Sequence, residues 1–118
     1  MLISTGLNLN ATATILLKID SIEYREAGSG NGGYDAFMSA VNKILKKLNI
    51  DSPELVDYQI RIPRGGKTNA LTEAVITWQV NGKRLQTIGI DSDQVLAAVN
   101  ATLKLLNLQL LQKGVQNQ

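Results

Sequence analysis

Cysteine and histidine are both missing from these 118 residues. Without cysteine there is no disulfide and no thiolate, a composition that suits a reducing compartment. Without histidine the commonest general base and the commonest transition-metal ligand are lost together. Aromatic residues are scarce as well, with one Phe, one Trp and three Tyr, so platforms for stacking nucleic-acid bases are few. The net charge is only +2, and the basic residues sit on one stretch (Lys43, Lys46, Lys47) and in several turns, which makes no steering field for a polyanion. No basic segment followed by an apolar run opens the chain, and no apolar stretch reads as long enough to span a bilayer. These absences lead to the expectation of a soluble, cytoplasmic protein with no cofactor, no metal, no nucleic acid and no membrane among its partners.

What is present is a repeat. Asp35 to Asn49 (DAFMSAVNKILKKLN) aligns without a gap on Asp93 to Asn107 (DQVLAAVNATLKLLN), with eight of fifteen positions identical and an offset of 58 (93 less 35). A period close to half the chain points to one supersecondary unit used twice, each helping to bury the other's apolar face. The length and a hydrophobic content of 44% suffice for one domain but not for two. The two half-cores are therefore expected to share one interior.

Each half alternates period-2 with period-3.6 patterning. Ala13, Ile15, Leu17 and Ile19 fall on one face of a strand, and Ala74, Ile76, Trp78 and Val80 do the same in the second half. Asn81-Gly82 is a favoured hairpin dipeptide because both positions reach positive φ, and Asp20-Ser21 takes the equivalent place. Return strands are expected over Ile22 to Ala27 and Lys83 to Ile88, and earlier strands over Leu2 to Thr5 and Leu55 to Ile62. Helices carry the stripes Phe37, Val41, Ile44, Leu45, Leu48 and Val95, Val99, Leu103, Leu106. Asp91 or Ser92 is the expected cap of the second helix, with Gln94 completing a box. The fold class is α+β, two pseudo-symmetric βββα units sharing one core. Unit one spans 1–50, unit two spans 51–107, and 108–118 prolong the helix to near Gly114 before a frayed tail.

The strands match at an offset of 61 (Ala13 with Ala74) and the helices at 58. This difference predicts three extra residues in the first unit, within Gly28-Ser29-Gly30-Asn31-Gly32-Gly33. Gly28-x-Gly30-x-x-Gly33 satisfies the dinucleotide glycine pattern, but Tyr24-Arg25-Glu26 before it is no buried parallel strand, and no second mononucleotide half follows. A small anionic or zwitterionic ligand held by free N–H groups at a helix start fits better, beside the plainer alternative that the glycines only turn the chain. Gly65-Gly66-Lys67-Thr68 fails as a phosphate loop because Arg61 stands where glycine is needed and a strand follows, so it reads as a hairpin loop. Asp35 and Asp93 sit in first helical turns, where carboxylates complement the dipole better than they form a catalytic pair. Tyr34 and Tyr58 read as core or pocket wall.

Three motifs in order carry a resemblance: Gly30-Asn31-Gly32-Gly33-Tyr34-Asp35-Ala36, then Leu55-Val56-Asp57-Tyr58, then Gly89-Ile90-Asp91-Ser92 before an Ala-rich helix ending in Leu106-Asn107. Over roughly residues 2 to 107 the chain resembles the C-terminal regulatory domain of 2-isopropylmalate synthase and the related citramalate synthase. The resemblance implies two βββα units, a homodimer, and an effector pocket for leucine or isoleucine that lowers the activity of a separate catalytic barrel. It assigns to that pocket Gly30, Asn31, Gly32, Gly33, Tyr34, Asp35, Leu55, Tyr58, Ile62, Ala70 and Ile90. Gly33 and Tyr34 stand where the family usually has proline and a small aliphatic residue. The family's barrel needs a histidine-containing metal site, so this histidine-free chain is expected not to be the enzyme. The leading expectation is a regulatory domain of a 2-isopropylmalate-synthase-like acyltransferase of leucine biosynthesis, with leucine as feedback inhibitor. The alternatives are an isoleucine sensor of citramalate synthase, a structural dimerisation module whose pocket Tyr34 has filled, and a small nucleotide-binding protein.

Overall fold

A computed structural model describes residues 2–5, 10–62 and 71–112. The element order is β1 (Leu2–Thr5), β2 (Ala11–Ile19), β3 (Ile22–Gly30), α1 (Gly33–Lys47), β4 (Glu54–Arg61), β5 (Thr72–Val80), β6 (Lys83–Asp91) and α2 (Gln94–Gln112). It is an α+β arrangement in which βββα occurs twice. Two antiparallel sheets of three strands form, β1-β2-β3 and β4-β5-β6, each with its middle strand in the middle of the sheet. The chain divides into two compact units. One runs to Ser52 and takes in the end of α2 from Gln109, and the other runs from Pro53 to Leu108.

The first unit follows its patterning closely. Along β2, Ala11, Ala13, Ile15 and Ile19 are buried while Thr12, Thr14, Leu16 and Lys18 are exposed. β2 and β3 pair without interruption from Ala11↔Gly30 to Ile19↔Ile22, closed by Asp20 and Ser21 at φ 51 and 66. These are the positive values that a tight twisted hairpin demands. α1 buries Ala36, Phe37, Ala40, Val41, Ile44 and Leu45 against this sheet. It ends as Asn49 turns left-handed (φ 56) and Ile50, itself buried, returns its N–H to the Leu45 carbonyl at 2.9 Å.

The second unit repeats the hairpin pair for pair, from Thr72↔Asp91 to Val80↔Lys83, with Asn81 and Gly82 at φ 51 and 77. Ala74, Ile76 and Trp78 are fully buried. The Trp78 indole N–H donates to the Thr87 hydroxyl at 2.9 Å, which satisfies the one polar atom that this burial would otherwise orphan.

Two expectations are corrected. The first is the three-residue insertion. β3 ends at Gly30 and α1 starts at Gly33, while β6 ends at Asp91 and α2 starts at Gln94, so both connections are equally short. The offset is 61 throughout. A Cβ on Gly28 would strike the backbone of Ala36 and Ala40, and one on Gly89 would strike Ala97 and Ala101, inside the 3.0 Å that real Cβ atoms never show. Lys43 donates to the Ala27 carbonyl and Lys104 to the Ile88 carbonyl, again 61 apart. The helix alignment at 58 is a slip of three residues, close to one 3.6-residue turn, which leaves an apolar stripe almost where it was. Identity therefore rewards the wrong register.

The second correction concerns apolar length. Gln94–Leu111 is one helix segment with a mean hydropathy of 1.2, long and apolar enough by those measures to cross a membrane. Half of it is buried within the protein, as in a core helix that packs on a sheet. Its apolar residues are interrupted by Asn100, Thr102, Lys104, Asn107 and Gln109, which hid its length from inspection.

Candidate functional site

The glycine segment lies where β3 hands over to α1. Gly28 and Gly30 belong to the strand. Gly30 pairs with Ala11, and a Cβ there would crowd Asp35 and Ala36, so both glycines let a strand run close under a helix. Gly32 is different. It is the N-cap of α1 in extended conformation (φ −147, ψ 175), and open space surrounds the place its Cβ would occupy. Its carbonyl takes the Ala36 N–H at 3.0 Å, the first bond of the helix, and no side chain caps the turn. A first turn without a side-chain cap presents the positive end of the helix dipole to whatever lies beyond.

Around this start stand the neighbouring residues singled out from the sequence. Asn31 is exposed. Tyr34 is half-buried, its ring tilted against Phe37 with centroids 6.0 Å apart. Asp35 is exposed in the first turn and heads a shallow groove along α1 with Met38, Ser39, Asn42, Lys43 and Lys46.

The start of α2 is built otherwise. Asp93, expected inside the first turn, is its cap: its carboxylate accepts the N–H of Val95 at 2.7 Å and of Leu96 at 3.1 Å. Asp91, one of the two expected caps, instead accepts the Asp93 N–H at 3.0 Å and so holds the capping residue in place. The same backbone position thus carries an open glycine in one unit and a self-satisfied carboxylate in the other.

The second unit contributes an uncovered apolar face. Leu55 pairs with Trp78, Asp57 with Thr77 and Tyr58 with Ile76, so the register slips at Val56. This bulge puts Leu55, Tyr58 and Ile60 together on the side of the sheet that carries Trp78, Ile76 and Ala74. Strict alternation would have set Leu55 and Tyr58 on opposite faces. α2 lies over β6, where Ala97 and Ala101 crowd the Gly89 Cβ position, while on β4 Leu55 is 41% and Tyr58 36% exposed. Burial pushes the Tyr58 phenol up from its ordinary value, so it stays a hydrogen-bond donor across the neutral range.

Three further residues from the sequence fall elsewhere. Ile62 follows β4 and is 70% exposed. Ile90 pairs with Glu73 and so points to the face away from Leu55 and Tyr58, and the sheet separates them. Ala70 lies outside the described residues. The bulge and the Asp93 cap were missed from the sequence. The bulge has no local signature, but Asp93 stands two residues before the period-3.6 stripe opens at Val95. Among the described residues no group of three or more His, Cys, Asp or Glu is arranged to hold a metal ion.

Among the described residues, two antiparallel three-stranded sheets, a helix start without a side-chain cap at Gly32 and a half-exposed apolar strip on β4 make up a small α+β domain. The profile of the LeuA allosteric (dimerisation) domain matches residues 1–110, and the chain belongs to that family. It is 33% identical over 105 residues to a 2-isopropylmalate synthase of Erwinia tasmaniensis, covering 89% of this chain and 19% of that protein. A 2-isopropylmalate synthase of Aquifex aeolicus is 32% identical over 111 residues, 94% of this chain and 20% of its own length. A protein of Archaeoglobus fulgidus, provisionally named (R)-citramalate synthase CimA, is 31% identical over 106 residues, 90% of this chain and 21% of its own. The chain thus spans about a fifth of the relatives it matches, and the matched part is their allosteric (dimerisation) domain, not the catalytic one.

Proposed function

We propose that this chain is a feedback sensor: it binds a branched-chain amino acid, leucine foremost, and restrains a 2-isopropylmalate-synthase-like catalytic part of a longer cytoplasmic protein. The observation that carries this is the difference between the two helix starts. The α2 start is closed by Asp93, whereas the α1 start has no side-chain cap and open space at the Gly32 Cβ position. A ligand carboxylate completes α1 as Asp93 completes α2. Asp35, exposed one turn in, suits the ligand ammonium. The branched side chain needs apolar contact, where each buried methylene contributes about 0.8 kcal/mol.

The open face of β4 supports a homodimer. Leu55, Tyr58 and Ile60 form an apolar strip on an edge strand, and a second copy laid on it removes that strip from water. Regulation then requires the effector to favour one of two states of the assembly, by roughly 1–3 kcal/mol for an ordinary allosteric coupling.

A second reading draws on the Tyr34 ring against Phe37. If that ring fills the space an aliphatic side chain would take, the domain only dimerises. Calorimetric titration with leucine, isoleucine, valine and alanine, on the native chain and on Tyr34→Val, separates the two. Saturable binding of one branched amino acid establishes the sensor and names its effector, isoleucine pointing to a citramalate-synthase-like parent. Binding only to Tyr34→Val means that Tyr34 has closed the pocket. Binding to neither, with a dimer in sedimentation, leaves assembly as the function.

A further inference from the structure

The chain contains two Asn-Gly dipeptides, Asn31-Gly32 and Asn81-Gly82, and the structure holds them very differently. Asparagine followed by glycine is the sequence most prone to spontaneous deamidation, because the glycine nitrogen meets no Cβ as it approaches the asparagine side chain. In that reaction the backbone nitrogen of glycine attacks the asparagine Cγ. The Cγ–N bond breaks and ammonia leaves, giving a five-membered succinimide. Water then opens the ring at either carbonyl, yielding aspartate or isoaspartate. The balance is one water consumed and one ammonia released, with no oxidant, metal or enzyme required.

Asn81-Gly82 is the tip of a hairpin with both residues left-handed, at φ 51 and 77, pinned by the closing pair Val80↔Lys83. Ring closure requires rotation about the asparagine Cα–C bond, and here that rotation breaks the turn. Asn31-Gly32 lies beyond the last pair of β3, Ala11↔Gly30, in a connection of two residues. Asn31 is exposed, Gly32 is extended with nothing within 4 Å of its Cβ position, and no acceptor for the Gly32 N–H is found among the described residues. Among the described residues nothing holds the attacking nitrogen or crowds its approach.

We infer that Asn31-Gly32 is a deamidation site that converts ahead of Asn81-Gly82, and that its product places a fixed carboxylate immediately before the open start of α1. A new negative charge there interacts with the helix end as a bound anion would. Resting on the proposed sensor function, the consequence is loss of effector affinity as the protein ages: the carboxylate at residue 31 repels and replaces that of the amino acid. Isoaspartate adds a backbone methylene as well, and so shifts the glycine connection itself.

The test is incubation of the purified chain at neutral to mildly alkaline pH, with peptide mapping by mass and enzymatic methylation of isoaspartate. The expected result is acid at position 31 accumulating severalfold faster than at 81, and no early product in Asn31→Gln, whose longer side chain closes the ring far more slowly. Equal rates, or conversion at 81 first, overturn the inference. Leucine titration of fresh and aged protein follows. Binding that weakens with ageing in proportion to the acid found at position 31, and weaker binding in fresh Asn31→Asp, supports the link, and unchanged binding in Asn31→Asp overturns it. If fresh protein binds no amino acid, the sensor reading falls, while faster acid at 31 still establishes the modification site.

Discussion

The starts of α1 and α2 are the same construction finished in two ways. Both helices cross their sheets above a glycine, Gly28 or Gly89, both are held by a lysine 61 residues from its counterpart, and both follow a two-residue connection. Only the capping position differs, Gly32 against Asp93. Where packing fixes the backbone, the two units stay alike; where it does not, one has a carboxylate of its own and the other has a bare glycine, which is where the proposed ligand site falls. The difference teaches that the ligand-facing part of such a repeat is found by asking which unit fails to satisfy itself.

The largest effects should come from breaking what the units share. Gly89→Ala and Gly28→Ala each drive a methyl into helix backbone, which cannot rotate aside as a side chain can. Overpacking of this kind costs about 1–3 kcal/mol and more where backbone must move. Urea denaturation should show both variants severely destabilised or unfolded, Gly89→Ala at least as badly as Gly28→Ala. If either is tolerated, the close crossing is not essential and the common offset of 61 loses its physical basis.

Next comes a position that the units use differently. Thr87 is the counterpart of Glu26 and accepts the buried Trp78 N–H. Thr87→Val keeps the shape and strands that donor, for a cost of about 1–3 kcal/mol. The change should appear in the denaturation midpoint and in a shifted tryptophan fluorescence, since Trp78 is the one tryptophan of the chain.

Capping changes sharpen the comparison itself. Asp93→Ala removes two hydrogen bonds to first-turn amides and should cost about 1 kcal/mol, the usual value of a cap. Gly32→Asp makes the α1 start resemble that of α2. It should leave the chain as stable or stabilise it by a few tenths of a kcal/mol, because glycine is itself a fair cap. If the proposed site is right, the same substitution abolishes amino acid binding in calorimetry. A stable Gly32→Asp variant that binds leucine normally removes α1's start from the site.

How much of this was legible before the fold was known depends on the range of the interaction. The hairpins were, because Asp20-Ser21 and Asn81-Gly82 are determined within a few residues and the alternation of β2 and β5 has a single period. The helix register was not, since a three-residue slip keeps the stripe and raises the identity. One trace of the true register did stand in the sequence, in Gly28, Ala36, Ala40 and Lys43 against Gly89, Ala97, Ala101 and Lys104. Small residues at fixed spacing record where two backbones touch, but they look like nothing until the crossing is seen. The β4 bulge left no trace, because Leu55, Val56 and Tyr58 are all strand formers and any of them could face either way. Within one copy of the chain Ile90, paired with Glu73, lies on the other face of the sheet from Leu55 and Tyr58.

The smallest effect is electrostatic and belongs to the first unit alone. Glu26, the counterpart of Thr87, pairs with Lys47 at the surface, and that hydrogen bond holds its carboxyl below the ordinary value. A lowered native pKa means that the pair stabilises at neutral pH and down to the ordinary carboxylate range. The contribution is lost as pH falls from there through the lowered native value. Native protein and Glu26→Gln should therefore differ slightly in thermal midpoint near neutrality, converge in acid, and converge at neutral pH as well when salt is raised, because the pair is solvent-exposed. A difference that persists in acid or in high salt would mean that Glu26 acts through packing on α1, and the two units would then be more alike at this position than their side chains suggest.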